Sequence, residues 1–252
     1  MPRGAHTHMG FEDTTIHDVI IVGGGPAGCA AAVHVAKLRP DLVHRIVLLD
    51  KARFPRVKLC GGGVVRRADR LLHRMGVAAD VQSTAIRAAT FVFPERSVTL
   101  RRANLFRIVR RAEFDHALLL HVKSLGVNVQ EEATVTAFDE VGDAVLVRTP
   151  DQTYRGRVVV GADGANGISR RTVALARPSL SMVGLEIFTD PRPSELGHAS
   201  RHTAVFDFTG TTAGVQGYSW DFPAGADARR ARHTNTAPGT SLRKTRQSQN
   251  LP

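Results

Sequence analysis

His17-Asp18-Val19-Ile20-Ile21-Val22 is a short, largely β-branched run that leads straight into Gly23-Gly24-Gly25-Pro26-Ala27-Gly28. Cys29 to Leu38 follow as a stretch of small and apolar residues. Strand, glycine turn and helix in immediate succession leave a chain few folds to choose from, because each glycine has its own steric task. In the G-x-G-x-x-G spacing, Gly23 makes the tight turn, Gly25 lets a pyrophosphate approach the backbone, and Gly28 lets helix and strand pack closely. The helix N-terminus then meets the phosphates with free N–H groups and the positive end of its dipole. Gly23, Gly25, Pro26, Ala27 and Gly28 are therefore the expected dinucleotide contacts.

The motif alone is weak, and its surroundings supply the rest. Arg45-Ile46-Val47-Leu48-Leu49-Asp50 reads as a second buried strand ending in an acid, 22 residues beyond Gly28. A carboxylate at that place accepts from both ribose hydroxyls of an adenosine. The βαβ unit is complete, with Asp50 and the following Lys51 as further contacts. A glycine turn that binds nothing is the competing reading. Cys29, inside the small-residue helix, reads as a packing residue.

A length of 252 residues suits one large domain or two modest ones. The formal net charge of +11 would by itself suggest nucleic acid or an anionic membrane as partner. Arginine supplies 29 of the 34 basic residues, a skew that GC-rich coding produces without any binding function. Residues 224–252 also concentrate the excess, with six basic residues against one acid. Nucleic acid is thus not the expected partner. The N-terminus has no secretory apolar run and no window approaches 18 apolar residues, so a cytoplasmic protein is expected, with peripheral contact at the inner membrane surface left open. Two cysteines are too few for a disulfide scaffold or a self-contained zinc site, and no metal is expected.

Lys51-Ala52-Arg53-Phe54-Pro55-Arg56-Val57-Lys58-Leu59-Cys60-Gly61-Gly62-Gly63 stands where an ordinary dehydrogenase would begin its next helix. Here the chain resembles the geranylgeranyl reductase family of FAD-dependent oxidoreductases, within the wider para-hydroxybenzoate hydroxylase-like flavoprotein fold. Pro55, Lys58, Cys60, Gly61 and Gly62 match that family's P-x-x-K-x-C-G-G segment. The resemblance implies that Gly61 and Gly62 lie against the flavin ring of FAD, with Cys60 near the reacting double bond. Glycines permit close backbone approach to a flat ring. Thiolate character favoured by Lys58, Arg56 and backbone N–H groups would make Cys60 a proton donor or relay. A cysteine that merely packs in a glycine loop is the plainer alternative.

Val64 to Gly76 has apolar residues at 64, 68, 71, 72 and 75, a helical spacing, with Arg66, Arg67, Arg70 and Arg74 on the other side. A solvated face is the plain reading of these arginines, and a seat for acidic lipid headgroups or a diphosphate the sharper one. Thr90–Phe93 and Ser97–Leu100 flank Pro94-Glu95-Arg96 as a hairpin. The stretch from Asn104 to Asp115 returns and opens a helix that Gly126 stops. Arg111-x-x-Phe114-Asp115 resembles the R-x-x-F-D element of the flavoprotein fold, which implies an Arg111 contact to the pyrophosphate or ribityl region. Val135 falls where family members hold adenine with backbone atoms. Gly161-Ala162-Asp163-Gly164 with Arg170 and Arg171 resembles G-A-D-G-x-x-S-x-x-R-R, implying that Asp163 and Gly164 support the pyrophosphate side, although Gly167 stands where the family has Ser.

Tyr218-x-Trp220-x-Phe222-Pro223 matches the family's Y-x-W-x-F-P, which implies aromatic residues lining a channel for an isoprenoid chain. As alternate residues on one strand face, Tyr218 and Trp220 can present a rigid apolar wall. Beyond Pro223 no helix or strand period continues, and the family's later G-D-A-A-G segment does not occur in these residues. The expectation is a truncated or frame-shifted member with a disordered tail over 224–252.

The expected fold is α/β: a Rossmann-like FAD-binding domain over 17–85 and 104–178, and a β-sheet substrate domain over 86–103 and 179–223, incomplete at the C-terminus. Residues 1–16 are expected to be disordered. The resemblance implies reduction of carbon-carbon double bonds in an isoprenoid or other apolar small molecule, with electrons from NADPH or NADH. An aromatic or polyketide monooxygenase, a halogenase, or an inactive remnant retaining only nucleotide binding are the alternatives.

Overall fold

A computed structural model describes residues 11–77, 81–173, 183–189, 202–213, 217–224 and 229–236. In chain order the first elements are β1 (Phe11–Val22), α1 (Pro26–Leu38), β2 (Ile46–Leu49), β3 (Gly63–Val65), α2 (Arg66–Arg74), β4 (Ser83–Val92), β5 (Ser97–Val109) and α3 (Arg111–Ser124). They are followed by β6 (Asn128–Gln130), β7 (Ala137–Val141), β8 (Ala144–Arg148), β9 (Gln152–Gly161), α4 (Ile168–Thr172), β10 (Val183–Thr189), β11 (Thr203–Asp207), β12 (Ser219–Ala224) and β13 (Arg229–Thr236). Two compact units result, one within Met1–Lys58, Arg67–Val81 and Arg110–Arg177, the other within Leu59–Arg66, Gln82–Val109 and Pro178–Pro252.

The first unit is built on a six-stranded sheet in the order β6-β2-β1-β9-β8-β7. Its β6, β2, β1 and β9 run parallel, and β8 and β7 add antiparallel strands at one side. Parallel strands covered on both faces need apolar residues at every position rather than at alternate ones. Accordingly Ile46, Val47, Leu48 and Leu49 are all fully buried, as are Ile20 and Ile21. Helix α1 offers Cys29, Ala32, Val33 and Ala36 as its buried residues, small enough for close approach. At the start of that helix a Cβ on residue 28 would lie 1.8 Å from the Gly23 carbonyl oxygen, so only glycine fits. Gly23 itself adopts φ 109°, with Ala162 where a side chain would go.

The second unit is a seven-stranded sheet in the order β10-β13-β12-β11-β4-β5-β3. Only β11 and β4 pair in parallel; the other neighbours are antiparallel. Register places Phe91 opposite Phe206 and Phe206 opposite Trp220, so period-two alternation puts these residues on one face. Rings of Phe93, Phe208, Tyr218 and Phe222 join them through contacts of 5.1–6.1 Å between centroids. Ile86, Ile108 and Ala204 pack with Phe222 as the apolar base of this face. Leu185 and Ile187 of β10, a strand with one neighbour among the described residues, are more than half exposed.

Four sequence expectations are corrected by the backbone. Phe11 to Ile16 are not disordered but extend β1, pairing with β9 across an irregularity between Glu12 and Ile16. The basic helix begins at Arg66, not Val64, because Gly63–Val65 pair with Ile108, Arg107 and Phe106 of β5. That pairing also carries Cys60, Gly61 and Gly62 into the sheet unit, and β5 holds residues 104–109 there as well. Arg229 to Thr236, inside the stretch expected to be disordered, form β13 between β10 and β12. A strand with a partner on each side satisfies its backbone groups by the ladder, and that does not require an apolar period. Residues 1–10 and 237–252 lie outside the described residues.

Replacing Gly28 with alanine forces α1 away from the turn. Equilibrium denaturation is expected to show a loss of about 1–3 kcal/mol, typical of overpacking a closed contact; an unchanged midpoint would refute the steric account.

Candidate functional site

In the first unit the glycine loop leaves the N-terminus of α1 bare. Gly25 is the N-cap and provides no side-chain cap, no acid lies in the first turn, and Pro26 and Ala27 are exposed. The amides of Ala27 and Gly28 precede the first bond of the helix, Cys29 N–H to the Gly25 carbonyl at 2.9 Å, and so have no carbonyl of their own helix to meet. This is a cradle that suits an anion approaching along the helix axis.

Asp50 is 8% exposed and braces the loop. Gly24 N–H donates to its Oδ2 at 2.6 Å and Ala52 N–H to its Oδ1 at 2.8 Å. Each oxygen keeps a second lone pair, so the carboxylate can still accept from a ribose, but its first task here is to hold the turn. Lys51 beside it is exposed. The chain that passes Asp50 on its other side is the adenine candidate: Ala133 N–H donates to the Asp50 carbonyl at 2.9 Å, and Thr136 N–H to that of Arg148 at 2.8 Å. Val135 between them is half-buried and packs on the cluster of Ile20, Val22, Val47 and Leu49.

Arg111 does not stand alone at the start of α3. It forms a two-pronged pair with the fully buried Asp115, Nε to Oδ1 at 2.8 Å and Nη2 to Oδ2 at 2.9 Å. Arg56 reaches the same carboxylate at 3.2 Å, with its guanidinium 4.9 Å above the Phe54 ring. Two guanidiniums on one carboxylate leave one positive charge in excess, and an Arg56 Nη2 lies 3.4 Å from where a Gly25 Cβ would be. Arg56 is thus a cation beside the glycine loop, a candidate cofactor contact that sequence reasoning did not single out. The signal was its place between Phe54 and Lys58, which the sequence reading instead assigned to activating Cys60. Glu131 secures this segment, accepting from Phe54 N–H at 2.5 Å and from Lys123 Nζ at 2.6 Å. Burial alone would raise the Glu131 carboxyl, but the Lys123 and Phe54 hydrogen bonds outweigh it and hold it below the usual range.

Asp163 caps α4 in place of an N-cap side chain. Ser169 N–H donates to its carboxylate at 3.0 Å, and the Ser169 hydroxyl bonds the other oxygen. The glycine at 167 now has a reason, since a Cβ there would fall within 2.1–2.4 Å of the Asp163 carboxylate. Gly164 adopts φ 88° and its missing side chain faces open space.

In the second unit, two motifs some 160 residues apart in the chain meet. A Cβ on Gly61 would lie 2.6 Å from Trp220 Nε1 and 3.0 Å from Phe222. Cys60 N–H donates to Glu186 Oε2 at 3.0 Å, and the register of β10, β13 and β12 puts Glu186 in one row with Trp220. The loop therefore lies on the aromatic face. Gly62, at φ 69°, turns against the Val109 carbonyl and accepts from Val109 N–H at 2.9 Å. Cys60 and Lys58 are exposed. Tyr218 and Trp220 are neighbours at 5.4 Å between ring centroids, and Trp220 and Phe222 at 6.1 Å. Phe91, Phe206 and Phe208 extend this wall and were not singled out in the sequence, although their alternation in Thr-Phe-Val-Phe and Val-Phe-Asp-Phe was visible. No group of His, Cys, Asp and Glu suited to a metal occurs among the described residues.

A bare helix N-terminus, a braced acid at the second strand and an arginine pair beside the loop define a dinucleotide-binding module of the flavoprotein type. The chain belongs to the FAD binding domain family, whose model matches residues 17–227. It is 28% identical over 226 residues to menaquinone reductase of Mycolicibacterium smegmatis, covering 82% of this chain and 52% of that protein. It is 29% identical over 219 residues to geranylgeranyl diphosphate reductase of Rhodobacter capsulatus, covering 84% and 53% respectively. Among solved structures, a geranylgeranyl bacteriochlorophyll reductase-like protein of Thermoplasma acidophilum superposes with TM-score 0.71 at 19% identity, covering 88% of this chain and 57% of the other. A p-nitrophenol 4-monooxygenase of Pseudomonas putida does so with TM-score 0.69 at 16% identity, covering 90% and 59%. The chain spans about half the length of the curated relatives it matches. The cradle fits FAD: its pyrophosphate would meet the Ala27 and Gly28 amides and the arginine pair, and its ribose Asp50.

Arg56→Met leaves Asp115 paired with Arg111, so folding should survive while FAD affinity, read by quenching of flavin fluorescence, falls about tenfold, the loss expected for a charge-assisted contact. Asp115→Asn should instead destabilise the unit by about 3–5 kcal/mol, because two guanidiniums lose their common partner. The cysteines offer an independent check. Burial pushes the Cys29 thiol up to about 12, with Asp115 and Asp50 adding to it and Arg56 opposing, and its Sγ donates to the Gly24 carbonyl at 3.3 Å. Iodoacetamide at pH 8 should therefore label Cys60 in the native chain and spare Cys29, as read by peptide mass spectrometry.

Proposed function

We propose that this chain provides the FAD-binding unit and substrate sheet of a flavin-dependent reductase that saturates carbon-carbon double bonds in an isoprenoid chain. The observation behind this reading is the seat of the Cys60-Gly61-Gly62 loop on the aromatic face, with Gly61 against Trp220 and Phe222. Reduction of an unactivated alkene needs an apolar, water-poor surface and a proton source close to the chain. The rings of Tyr218, Trp220 and Phe206 offer the surface, over the buried Phe222, since flat aromatic walls bind apolar chains with little loss of their own freedom. Cys60, held at its amide by Glu186, offers an S–H to the second alkene carbon. Lys58 lies two residues away as a group that can return a proton to the sulfur.

FAD bound in the first unit and reduced by NADPH or NADH would supply the hydride, returning to its oxidised form. Reductase relatives in Mycolicibacterium smegmatis and Rhodobacter capsulatus support this class. The monooxygenase from Pseudomonas putida, which shares the fold, supports the second reading, oxygen insertion on an aromatic substrate. A cytoplasmic enzyme working at a membrane surface suits an isoprenoid substrate, with exposed Arg66, Arg67, Arg70 and Arg74 of α2 toward acidic headgroups. No described helix is long and apolar enough to cross a membrane.

The chain purified in the presence of FAD should be yellow and, given NADPH or NADH, should add two hydrogens per double bond to menaquinone or geranylgeranyl diphosphate, seen as a mass increase. Cys60→Ser should keep the flavin and lose most turnover. Incorporation of an oxygen atom from O₂ would transfer the assignment to the monooxygenase reading, and a colourless protein would sink both.

A further inference from the structure

The second unit carries an irregularity that neither the aromatic wall nor the Cys60 loop uses. Between the pairs Ile86 with Phe106 and Ala88 with Arg101, the single residue Arg87 of β4 faces residues 102–105 of β5. A bulge of this kind bends the strand and re-aims its side chains. Asn104 takes up the turn at φ 57°, a conformation asparagine tolerates better than most residues. The β4 side is tied down: Arg87 and Ala88 both donate their N–H to the His202 carbonyl, at 2.8 and 3.1 Å. The His202 ring is held in turn by Nδ1 donating to the Ala85 carbonyl at 2.7 Å.

Over this bulge lies a cavity of about 730 Å³, lined by Arg87, Arg101, Arg102, Asn104, His202 and Thr203. None of its lining residues is a carboxylate among the described residues. Arg87, Arg101 and Arg102 are exposed, and none of the three forms an ion pair among the described residues. Three arginines lining one cavity, with no counter-charge among the described residues, repel one another. An anion with several oxygens removes the repulsion, and the planar fork of arginine matches the tetrahedral oxygens of a phosphate. Ala88 stands opposite Arg101 on one neighbouring strand and Thr203 on the other, three residues along from Phe91 and Phe206. The cavity therefore opens on the face away from the aromatic wall.

We propose that this cavity is a binding site for a phosphate-bearing anion, separate from the FAD pyrophosphate and from the apolar substrate surface. A soluble phosphorylated compound and a phospholipid headgroup share this chemistry. The full chain, saturated with FAD so that the glycine loop is filled, is titrated with inorganic diphosphate by calorimetry at low salt. In parallel it is floated with phosphatidylcholine vesicles with and without phosphatidylglycerol. The wild type is compared with Arg101→Gln/Arg102→Gln and with a charge-matched control on the other unit, Arg155→Gln/Arg157→Gln.

Saturable binding of diphosphate that weakens tenfold or more in the first variant and not in the control establishes the site with a soluble ligand. Recruitment to phosphatidylglycerol vesicles alone, with the same dependence on Arg101 and Arg102, establishes it with a headgroup. Absence of both, or an equal loss in the control variant, overturns the proposal. Circular dichroism of each variant confirms that these exposed substitutions leave the fold intact.

Discussion

The carbonyl oxygen of Gly23 occupies the space in which residue 28 would carry a side chain, and that close approach sets where α1 begins relative to β1. With the helix pressed onto the turn, its first amides emerge at the C-terminal end of the parallel strands, where open α/β sheets bind their ligands. Asp50 locks the geometry from the neighbouring strand by holding Gly24 N–H. The buried Asp115 of α3 then anchors Arg111 of the same helix and Arg56 of the segment between β2 and β3. Each later feature of the cradle presumes the earlier one, so the site is stacked on a backbone contact rather than assembled from independent side chains.

The legible part of this architecture was that in which a residue type has one steric or chemical reason to be present. Glycines at 23, 25 and 28, the apolar block at 46–49 and the alternation of Tyr218, Trp220 and Phe222 all announced their elements because backbone clearance, burial and period leave few options. What the sequence hid depended on partners far along the chain. Nothing near Cys60 signals that Gly63–Val65 pair with β5, and this pairing moved the loop into the sheet unit. Arg56 looked like a neighbour of Cys60 because it is four residues away, yet Asp115 claims its charge. The strand at 229–236 was hidden for the same reason: its stability comes from ladders to β10 and β12, whose positions no local pattern records.

Gly167 shows how a departure from a family pattern can be compensated within a few residues. Asp163 fills the volume that a serine side chain would need, and Ser169 supplies the hydroxyl instead. The local cap is kept while the hydroxyl moves two positions along the chain. A substitution judged by its own position alone would have been scored as a lost hydrogen bond.

Strand β10 has a further meaning for how this chain behaves in company. It ends the seven-stranded sheet on one side among the described residues, it alternates apolar residues with a single acid, and it exposes Leu185 and Ile187. An open ladder of that kind is a template for strand addition by another chain, and one glutamate is little protection. Glu186 on this strand also accepts from the Cys60 N–H, so a strand added at this edge would pair with the backbone that carries the carboxylate holding the Cys60-Gly61-Gly62 loop.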